Sequence, residues 1–193
     1  PHEKIIEYKV KTPGELMSMK VTEFTDELSS DSPAPGGGSV SALAGSLAGA
    51  LVSMVAALTH GKKGMEELKH KMEEIGTTAQ NLKDRLSFLV DEDTRSFNDV
   101  MTAMRMKMKT DDQKEARKKA IEEATKKATE VPLEVAELCY EVLKLSKIAV
   151  EKGNPNSVSD AGVAAESSLT GVRGARLNVL INLSGIEDEG FCK

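Results

Sequence analysis

The sequence predicts an all-α fold, and three observations support that prediction. Apolar residues recur at steps of three and four over long stretches, which is the spacing of one face of a helix. Strong helix formers are abundant, whereas aromatic residues make up only 3% of the chain and tryptophan is absent. A β-sandwich with so few aromatic residues would be unusual. The 193 residues suit one domain with a sizeable core.

The first part of the chain divides into a peripheral segment and the start of the domain. We expect residues 1–19 to be a linker or peripheral segment, with a short extended piece at residues 5–8, and residues 20–193 to form the helical domain. A first short helix is predicted at about residues 22–29. The turn-rich loop 31–38, with its run of glycines, follows it.

A long apolar helix is predicted from about Ser39 to Thr59. Gly45 and Gly49 lie one turn apart in it, and small side chains let another helix approach closely, so this helix should be central. Residues 32–61 carry no formal charge and are long enough to span a bilayer. Their composition is mostly alanine, glycine and serine, which favours a helix buried in the protein over one in a membrane.

The next helix carries the most informative pattern. Its apolar positions step by three and four from Met65 to Leu89 and resume at Phe97, the seam of a long packed helix. Between these two runs the seam position is occupied by Asp93, which falls near the middle of the apolar face.

Two further long helices complete the predicted domain. Thr110 and Gln113 form a capping-box start for a helix that runs to about Lys152. Ser157 or Ser159 can cap a last helix that ends at about Leu183. Residues 186–191 resemble the start of one more helix.

Composition also limits the function. The net charge of −5 leaves no basic excess to neutralise phosphates, which argues against a nucleic-acid partner. Cys139 and Cys192 match neither a disulfide framework nor a zinc pattern, and free thiols favour the cytoplasm. The three histidines are scattered, so no metal site is expected.

Asp93 is the leading candidate for chemistry. An aspartate on a core-facing seam must be paired with a cation, bound by polar donors, or protonated, because burying an isolated carboxylate is costly. A structural ion pair with a neighbouring helix is the alternative. If Asp93 faces a cleft instead, desolvation raises its pKa towards the range of general acid–base catalysis.

Four other places are weaker candidates: the loop at residues 35–39 and the single residues Lys62, Asp160 and Asn178. The loop Pro35, Gly36, Gly37, Gly38 and Ser39 can turn backbone N–H groups towards a ligand at the positive end of a helix, or can serve only as a tight entry turn.

The remaining candidates are single polar residues. Lys62 can meet a substrate carboxylate, although exposed lysines usually do nothing specific. Asp160 lies in a stretch of ordinary helix-cap residues. Asn178 lies one turn before Asn182, and these amides can bind a heterocycle or simply link two helices.

Four motifs together resemble a known family. The segments are 32–40, 90–97, 153–160 and 178–182: Ser-Pro-Ala-Pro-Gly-Gly-Gly-Ser-Val, Val-Asp-Glu-Asp-Thr-Arg-Ser-Phe, Gly-Asn-Pro-Asn-Ser-Val-Ser-Asp and Asn-Val-Leu-Ile-Asn. In this order and spacing they resemble the cyclodeaminase domain of formimidoyltransferase-cyclodeaminase, which stand-alone methenyltetrahydrofolate cyclohydrolases share. Residues 3–8 look like the connector that follows a transferase domain.

The resemblance implies several expectations. The fold should be an up-and-down bundle of long helices that forms homodimers or higher oligomers. Asp93 should be the catalytic residue, and the loop 35–39 should lie at a folate site. The substrate should be 5-formimidoyltetrahydrofolate, with or without a polyglutamate tail, and the reaction should yield 5,10-methenyltetrahydrofolate and ammonia without a cofactor. The resemblance also implies a fused formimidoyltransferase domain as a partner, as in the bifunctional members, and no membrane partner is expected.

Two other functions stay open. The first is a methenyltetrahydrofolate cyclohydrolase, in which the same carboxylate activates water. The second is a non-catalytic helical dimerisation domain, which an internal arginine facing Asp93 would favour.

Overall fold

The computed structural model describes residues 15–192, and every regular element in that range is helical. Five α-helices make up the fold: α1 (Val21–Leu28), α2 (Gly37–His60), α3 (Lys69–Met104), α4 (Asp111–Lys152) and α5 (Val158–Leu183). Short 3₁₀ turns at Glu66–Leu68 and Pro155–Ser157 precede α3 and α5. The predicted all-α class is therefore confirmed.

Helix boundaries lie close to the predicted ones, with one exception. Thr110 caps α4, and its side chain accepts a hydrogen bond from the Gln113 N–H at 3.3 Å. The predicted helix start at 186–191 is wrong, because this stretch forms turns. The Asp188 carboxylate accepts hydrogen bonds from the N–H groups of Gly190 (2.9 Å) and Phe191 (3.2 Å), and so competes with a helical backbone.

Helix α2 lies at the centre of the bundle. It packs against α3, α4 and α5, while α3 packs on α4 and α4 packs on α5. The chain runs up and down through these four helices, so α2 starts beside the late parts of α3 and α5 and ends beside the end of α4. At about 1.5 Å per residue, α2 separates the two ends of the bundle by about 36 Å.

Close helix contacts form around Cys139. Its thiol is fully buried and lies against Gly45 of α2 and Gly171 of α5. A Cβ at Gly45 would also lie 3.1 Å from Leu86 of α3, so only glycine fits without a shift. Burial raises the pKa of the Cys139 thiol to about 12.

One face of α2 remains exposed. Val40, Leu47, Met54 and Leu58 follow one another by seven, seven and four residues, and so lie on one side of the helix. By length and composition α2 is also apolar enough to cross a membrane, but 56% of its most apolar window is buried inside the bundle.

The residues before α1 join the domain through Asp91. Leu16 is buried in the core, and its N–H donates to the Asp91 carboxylate at 2.7 Å, with the Met17 N–H at 3.4 Å. Asp91 itself is only 4% exposed. Residues 15–19 thus pack on the bundle, whereas the predicted extended piece at 5–8 lies outside the described residues.

Candidate functional site

Asp93 and Ser39 form the centre of the site. The Ser39 hydroxyl donates to Asp93 Oδ2 at 2.9 Å and also lies 3.0 Å from the Val90 carbonyl oxygen. The Ser39 backbone N–H adds a second hydrogen bond to the carboxylate. Ser39 is fully buried, so the start of α2 holds the carboxylate from one side.

The glycines at the start of α2 make this approach possible. A Cβ on Gly38 would lie 2.7 Å from Asp93 Oδ2 and nearer still to Oδ1. A Cβ on Gly37 would lie 3.3 Å from Nδ2 of Asn178 on α5. The first N–H groups of a helix have no partner within it, so the amides of this turn can donate to Asp93 or to a ligand.

Asp93 has an unusual electrostatic environment. Burial raises the pKa of its carboxyl, and the hydroxyl and N–H of Ser39 oppose that rise because they favour the charged form. Within residues 15–192 no arginine, lysine or histidine pairs with it. Its neighbour Glu92, by contrast, pairs with Arg95 and Lys127. Asp93 is therefore a mostly buried carboxyl that is held by hydroxyl and N–H donors of Ser39 and not by an ion pair within the described residues.

Asp93 opens into a cavity of about 570 Å³ between α2, α3, α4 and α5. This volume is in the range of small-molecule sites. The residues lining it come from every helix of the bundle and from the two adjoining loops: Pro33, Ala34, Gly36, Gly37, Gly38, Asp93, Ser96, Phe97, Val100, Met104, Ile121, Thr125, Ala128, Asn178, Ile181, Asn182, Ser184 and Gly185.

Two asparagines supply amide groups to the cavity wall. Asn178 Nδ2 donates to the Gly174 carbonyl oxygen at 2.9 Å, and Asn182 Nδ2 donates to the Ala128 carbonyl oxygen of α4 at 2.8 Å. These bonds fix the two side chains. The wall thus combines an apolar surface with a few oriented polar groups, as ligand sites usually do.

The structure brings together most of the predicted site residues. Gly36, Gly37, Gly38, Asp93 and Asn178 line one cavity. Ser39 contacts Asp93 directly, whereas the adjacent Pro35 is buried without lining the cavity.

Lys62 and Asp160 do not belong to this group. Lys62 Nζ donates to Asn154 Oδ1 at 2.6 Å, just beyond the end of α2, and Asp160 lies in the first turn of α5. Both positions are at the opposite end of the bundle from Asp93, because the helices alternate in direction. Their predicted contact with the substrate thus has no structural counterpart in this cavity.

Sequence reasoning missed several wall residues. Phe97, Val100 and Met104 follow Asp93 at helical spacing and were assigned only to the core, and Ile121 and Thr125 of α4 were not singled out. The topology of the bundle identifies them. One end of an up-and-down bundle brings together the start of α2, the end of α3, the first half of α4 and the end of α5.

Comparisons with known proteins agree with this architecture. Residues 20–193 match the formiminotransferase-cyclodeaminase family. A methenyltetrahydrofolate cyclohydrolase of Methylorubrum extorquens is 41% identical over 90% of this chain and 83% of its own length. The formimidoyltransferase-cyclodeaminase of Rattus norvegicus is 35% identical over 99% of this chain, which spans 36% of that longer protein.

A solved structure has the same fold. The formiminotetrahydrofolate cyclodeaminase of Thermotoga maritima superimposes with a TM-score of 0.82 at 31% identity, over 92% of this chain and 85% of that one. The chain therefore belongs to the formiminotransferase-cyclodeaminase family, as a cyclodeaminase/cyclohydrolase domain of folate one-carbon metabolism.

Proposed function

We propose that this domain is a formimidoyltetrahydrofolate cyclodeaminase, which converts 5-formimidoyltetrahydrofolate into 5,10-methenyltetrahydrofolate and ammonia. The observation that carries the proposal is the carboxyl of Asp93, which faces a ligand-sized cavity with a raised pKa and without a cationic partner. Such a group can both give and take a proton during a reaction.

The reaction needs three proton transfers. Asp93 protonates the imino nitrogen of the formimidoyl group on N5, which makes its carbon electrophilic. N10 attacks that carbon, a C–N bond forms, and the Asp93 carboxylate takes the N10 proton. The same proton then passes to the amino group, the C–NH₂ bond breaks, and ammonia leaves as the methenyl bridge forms. Because every step is a proton transfer or a bond between substrate atoms, we propose that no cofactor is required.

The start of α2 suits this chemistry. The Ser39 hydroxyl holds the carboxylate at Oδ2 and the Ser39 N–H adds a second hydrogen bond, so the carboxyl is fixed at the wall of the cavity where it can meet a substrate. Gly37, Gly38 and Asn178 line the same cavity as Asp93, and their polar groups would orient a pterin ring beside the carboxyl. A fixed orientation of the reacting groups lowers the entropic part of the barrier.

Cyclohydrolysis is the second candidate. In that reaction Asp93 takes a proton from water as the water oxygen bonds to the methenyl carbon. The proton then passes from Asp93 to one of the two bridged nitrogens, and the bond between that nitrogen and the carbon breaks. The hydroxyl loses its proton to solvent, which leaves a formyl group on the other nitrogen. The M. extorquens relative favours it. The alignment length favours cyclodeamination, because the match to the bifunctional R. norvegicus protein extends over 99% of this chain and the match to the cyclohydrolase over 90%.

The non-catalytic interpretation lacks its expected support. An arginine facing Asp93 would favour it, and in the part of the chain described here the partner of Asp93 is the Ser39 hydroxyl. A structural role instead fits Asp91, which is buried and bonded to two backbone N–H groups.

A paired assay tests the proposal. 5-Formimidoyltetrahydrofolate and methenyltetrahydrofolate are offered separately to the wild type, Asp93→Asn and Asp91→Asn, and the methenyl chromophore and ammonia are followed. We expect the wild type to release ammonia as the chromophore forms. Asp93→Asn should stay folded and lose on the order of 10²–10⁴-fold in turnover.

Asp91→Asn is the matched control. It makes the same chemical change two residues away, outside the cavity, and should keep turnover while the packing of residues 15–17 weakens. Equal turnover by Asp93→Asn and the wild type would remove Asp93 from the mechanism. Chromophore loss without any ammonia release would favour the cyclohydrolase.

We also propose that the chain forms homodimers in the cytoplasm. The exposed apolar face of α2, together with Val163 and Leu177 on the adjacent α5, is a suitable contact surface for a second copy. The free thiols of Cys139 and Cys192 suit a reducing compartment. A fused formimidoyltransferase domain is part of the same proposal, because the R. norvegicus relative is bifunctional by name.

A further inference from the structure

Three polar side-chain contacts join α2 to α3 at a regular interval. The contributing residues of α2 are seven apart: Ser39, Ser46 and Ser53. Their partners step back along α3 by the same interval: Thr94, Ser87 and Gln80. Seven residues make nearly two full turns, so the three contacts lie on one side of each helix. We call this row the serine ladder and each contact a rung.

The middle rung links the two helices however its protons are arranged. Ser46 Oγ lies 2.7 Å from Ser87 Oγ, and these hydroxyls lie 3.3 Å and 2.9 Å from the Lys83 carbonyl oxygen of α3. Each hydroxyl has one proton to donate. In every arrangement of the two protons among these contacts, at least one hydrogen bond joins Ser46 of α2 to α3. Ser46 is only 6% exposed, so water competes little for this bond.

The first rung ends at the candidate catalytic carboxyl. Ser39 Oγ lies 3.4 Å from Thr94 Oγ1 and donates to Asp93 Oδ2 at 2.9 Å. At the other end of the ladder, Gln80 Nε2 donates to Ser53 Oγ at 2.9 Å. The ladder therefore extends about 21 Å along α2, starting from the residue that holds the carboxyl.

Small residues bring the two helices close enough for these short side chains to meet. A Cβ at Gly49 would lie 3.2 Å from both the Ala79 carbonyl oxygen and Lys83 Cβ, so the backbones are close between the rungs. Apolar contacts alone allow helices to slide past one another, whereas hydrogen bonds depend on distance and angle. A slide along the axis would weaken all three rungs at once, which is how polar residues on packed helices specify register.

We propose that the serine ladder fixes the register of α2 against α3, and that Ser46 and Ser87 are positioning residues that hold Ser39 against the Asp93 carboxyl. Neither Ser46 nor Ser87 lines the cavity, so both would act through Ser39. The expected effect on turnover rests on the proposed function. The expected effect on the carboxyl itself does not, because Ser39 contacts Asp93 whatever reaction the domain performs.

The titration of Asp93 reports where Ser39 lies. Burial raises the pKa of the Asp93 carboxyl, and within residues 15–192 the hydroxyl and N–H of Ser39 are the groups that oppose this rise. Its acidic neighbours on α3, Asp91 and Glu92, are bonded to other groups. The other side chains that line the cavity are uncharged. If Ser39 draws back, the charged carboxylate loses its donors and the pKa of Asp93 rises further.

Carboxyl titration by ¹³C NMR tests the inference in the intact protein without substrate, with Asp93→Asn to identify the signal. Ser46→Ala and Ser87→Ala each remove one hydroxyl of the middle rung. We expect either change to lower the acid dissociation constant of Asp93 roughly two- to tenfold, the factor that a net hydrogen bond carries, and by less than Ser39→Ala does. The double variant should shift it little further, because both hydroxyls belong to one contact.

Turnover of 5-formimidoyltetrahydrofolate supplies a second measurement. In Ser46→Ala and Ser87→Ala, kcat should fall by a similar factor while KM stays within about twofold, because the cavity wall is intact and only the reacting carboxyl is displaced. The limb of the pH–rate profile that belongs to Asp93 should move to higher pH together with the NMR titration.

Two variants are matched controls. Ser87→Thr keeps the hydroxyl, and threonine makes the same bond to its own helix elsewhere in this chain, as Thr125 does to the Ile121 carbonyl oxygen. It should titrate as the wild type does. Ser146→Ala removes a fully buried hydroxyl of α4 that bonds within its own helix, to the Val142 carbonyl oxygen at 2.9 Å. It should change neither the titration of Asp93 nor turnover.

The outcomes separate the ladder from the reaction. An unchanged Asp93 titration in Ser46→Ala and Ser87→Ala overturns the proposal, and so does an equal shift in Ser146→Ala. If Ser46→Ala does not fold, Ser87→Ala and Ser87→Thr decide the question, since Ser87 is only half-buried. If the titration shifts as expected but the wild type turns over neither folate, the positioning role stands and the proposed reaction fails.

Discussion

Replacing Gly38 by alanine tests the placement of Asp93 most directly. The added methyl carbon would lie 2.5 Å from Asp93 Cγ and 2.7 Å from Oδ2. Non-bonded carbons prefer about 3.5–4.0 Å, so the carboxylate must move by about 1 Å or the start of α2 must shift. The carboxylate is the movable partner, because the glycine belongs to the helix backbone.

The expected effect separates activity from stability. A displacement of about 1 Å at the reacting group costs on the order of 10²-fold in turnover. The folded state should suffer far less, because alanine is the better helix former by about 1 kcal/mol in a helix interior and offsets part of the strain. Turnover of 5-formimidoyltetrahydrofolate and thermal unfolding are measured on the same preparation.

Gly162→Ala is the matched control. Gly162 lies in α5, and a Cβ there would meet nothing within 4 Å. It should raise the melting temperature and leave turnover unchanged. If Gly38→Ala behaves in the same way, with full turnover, the proposal that turnover depends on the close contact between the start of α2 and the Asp93 carboxylate is refuted.

Three other outcomes follow from the same geometry. Ser39→Ala removes a bond that favours the charged carboxylate, so the pKa of Asp93 should rise further and its limb of the pH–rate profile should move to higher pH; an unmoved limb contradicts this. The folded state favours the protonated form of Asp93, because its pKa is raised there above the ordinary value of 3.8. The free energy of unfolding should therefore fall as the pH rises from 3.8 towards the raised pKa of the folded state. Asp93→Asn should therefore melt higher than the wild type at neutral pH, and the difference should vanish below pH 3.8; a constant difference excludes this origin. Leu47→Glu places a charge on the exposed face of α2 and should give monomers in sedimentation, whereas a monomeric wild type refutes dimerisation.

Periodicity was sufficient to single out Asp93 because a carboxylate on an apolar seam breaks a pattern that spans several turns. Periodicity could not predict which residue faces Asp93. Ser39 and an arginine of another helix were equally compatible with the seam, since the spacing within α3 contains no information on what faces it. The contact depends on the register between α2 and α3, and Gly38 allows the two helices to approach closely there, because a Cβ at this position would collide with the Asp93 carboxylate.

Lys62 and Asp160 illustrate a different limit. Asp160 lies within one of the four family-like segments, 153–160, and Lys62 follows the long apolar helix, so both were expected to contact the substrate. In an alternating bundle, however, the two ends of a 24-residue helix lie about 36 Å apart. The alternating direction of the helices alone predicts that Lys62 lies at the end of the bundle opposite Asp93 and that Asn182 lies at the cavity.

The buried thiol of Cys139 can report when the helix bundle opens, without an added label. Alkylating reagents attack thiolates, and a group with a pKa of about 12, sealed between three helices, offers almost none while the bundle is closed. Cys192 is exposed and reacts from the folded state. The rate of the slow alkylation at Cys139 therefore reports how often α2, α4 and α5 separate. A folate that contacts all three helices should lower this rate in proportion to the fraction of protein that binds it.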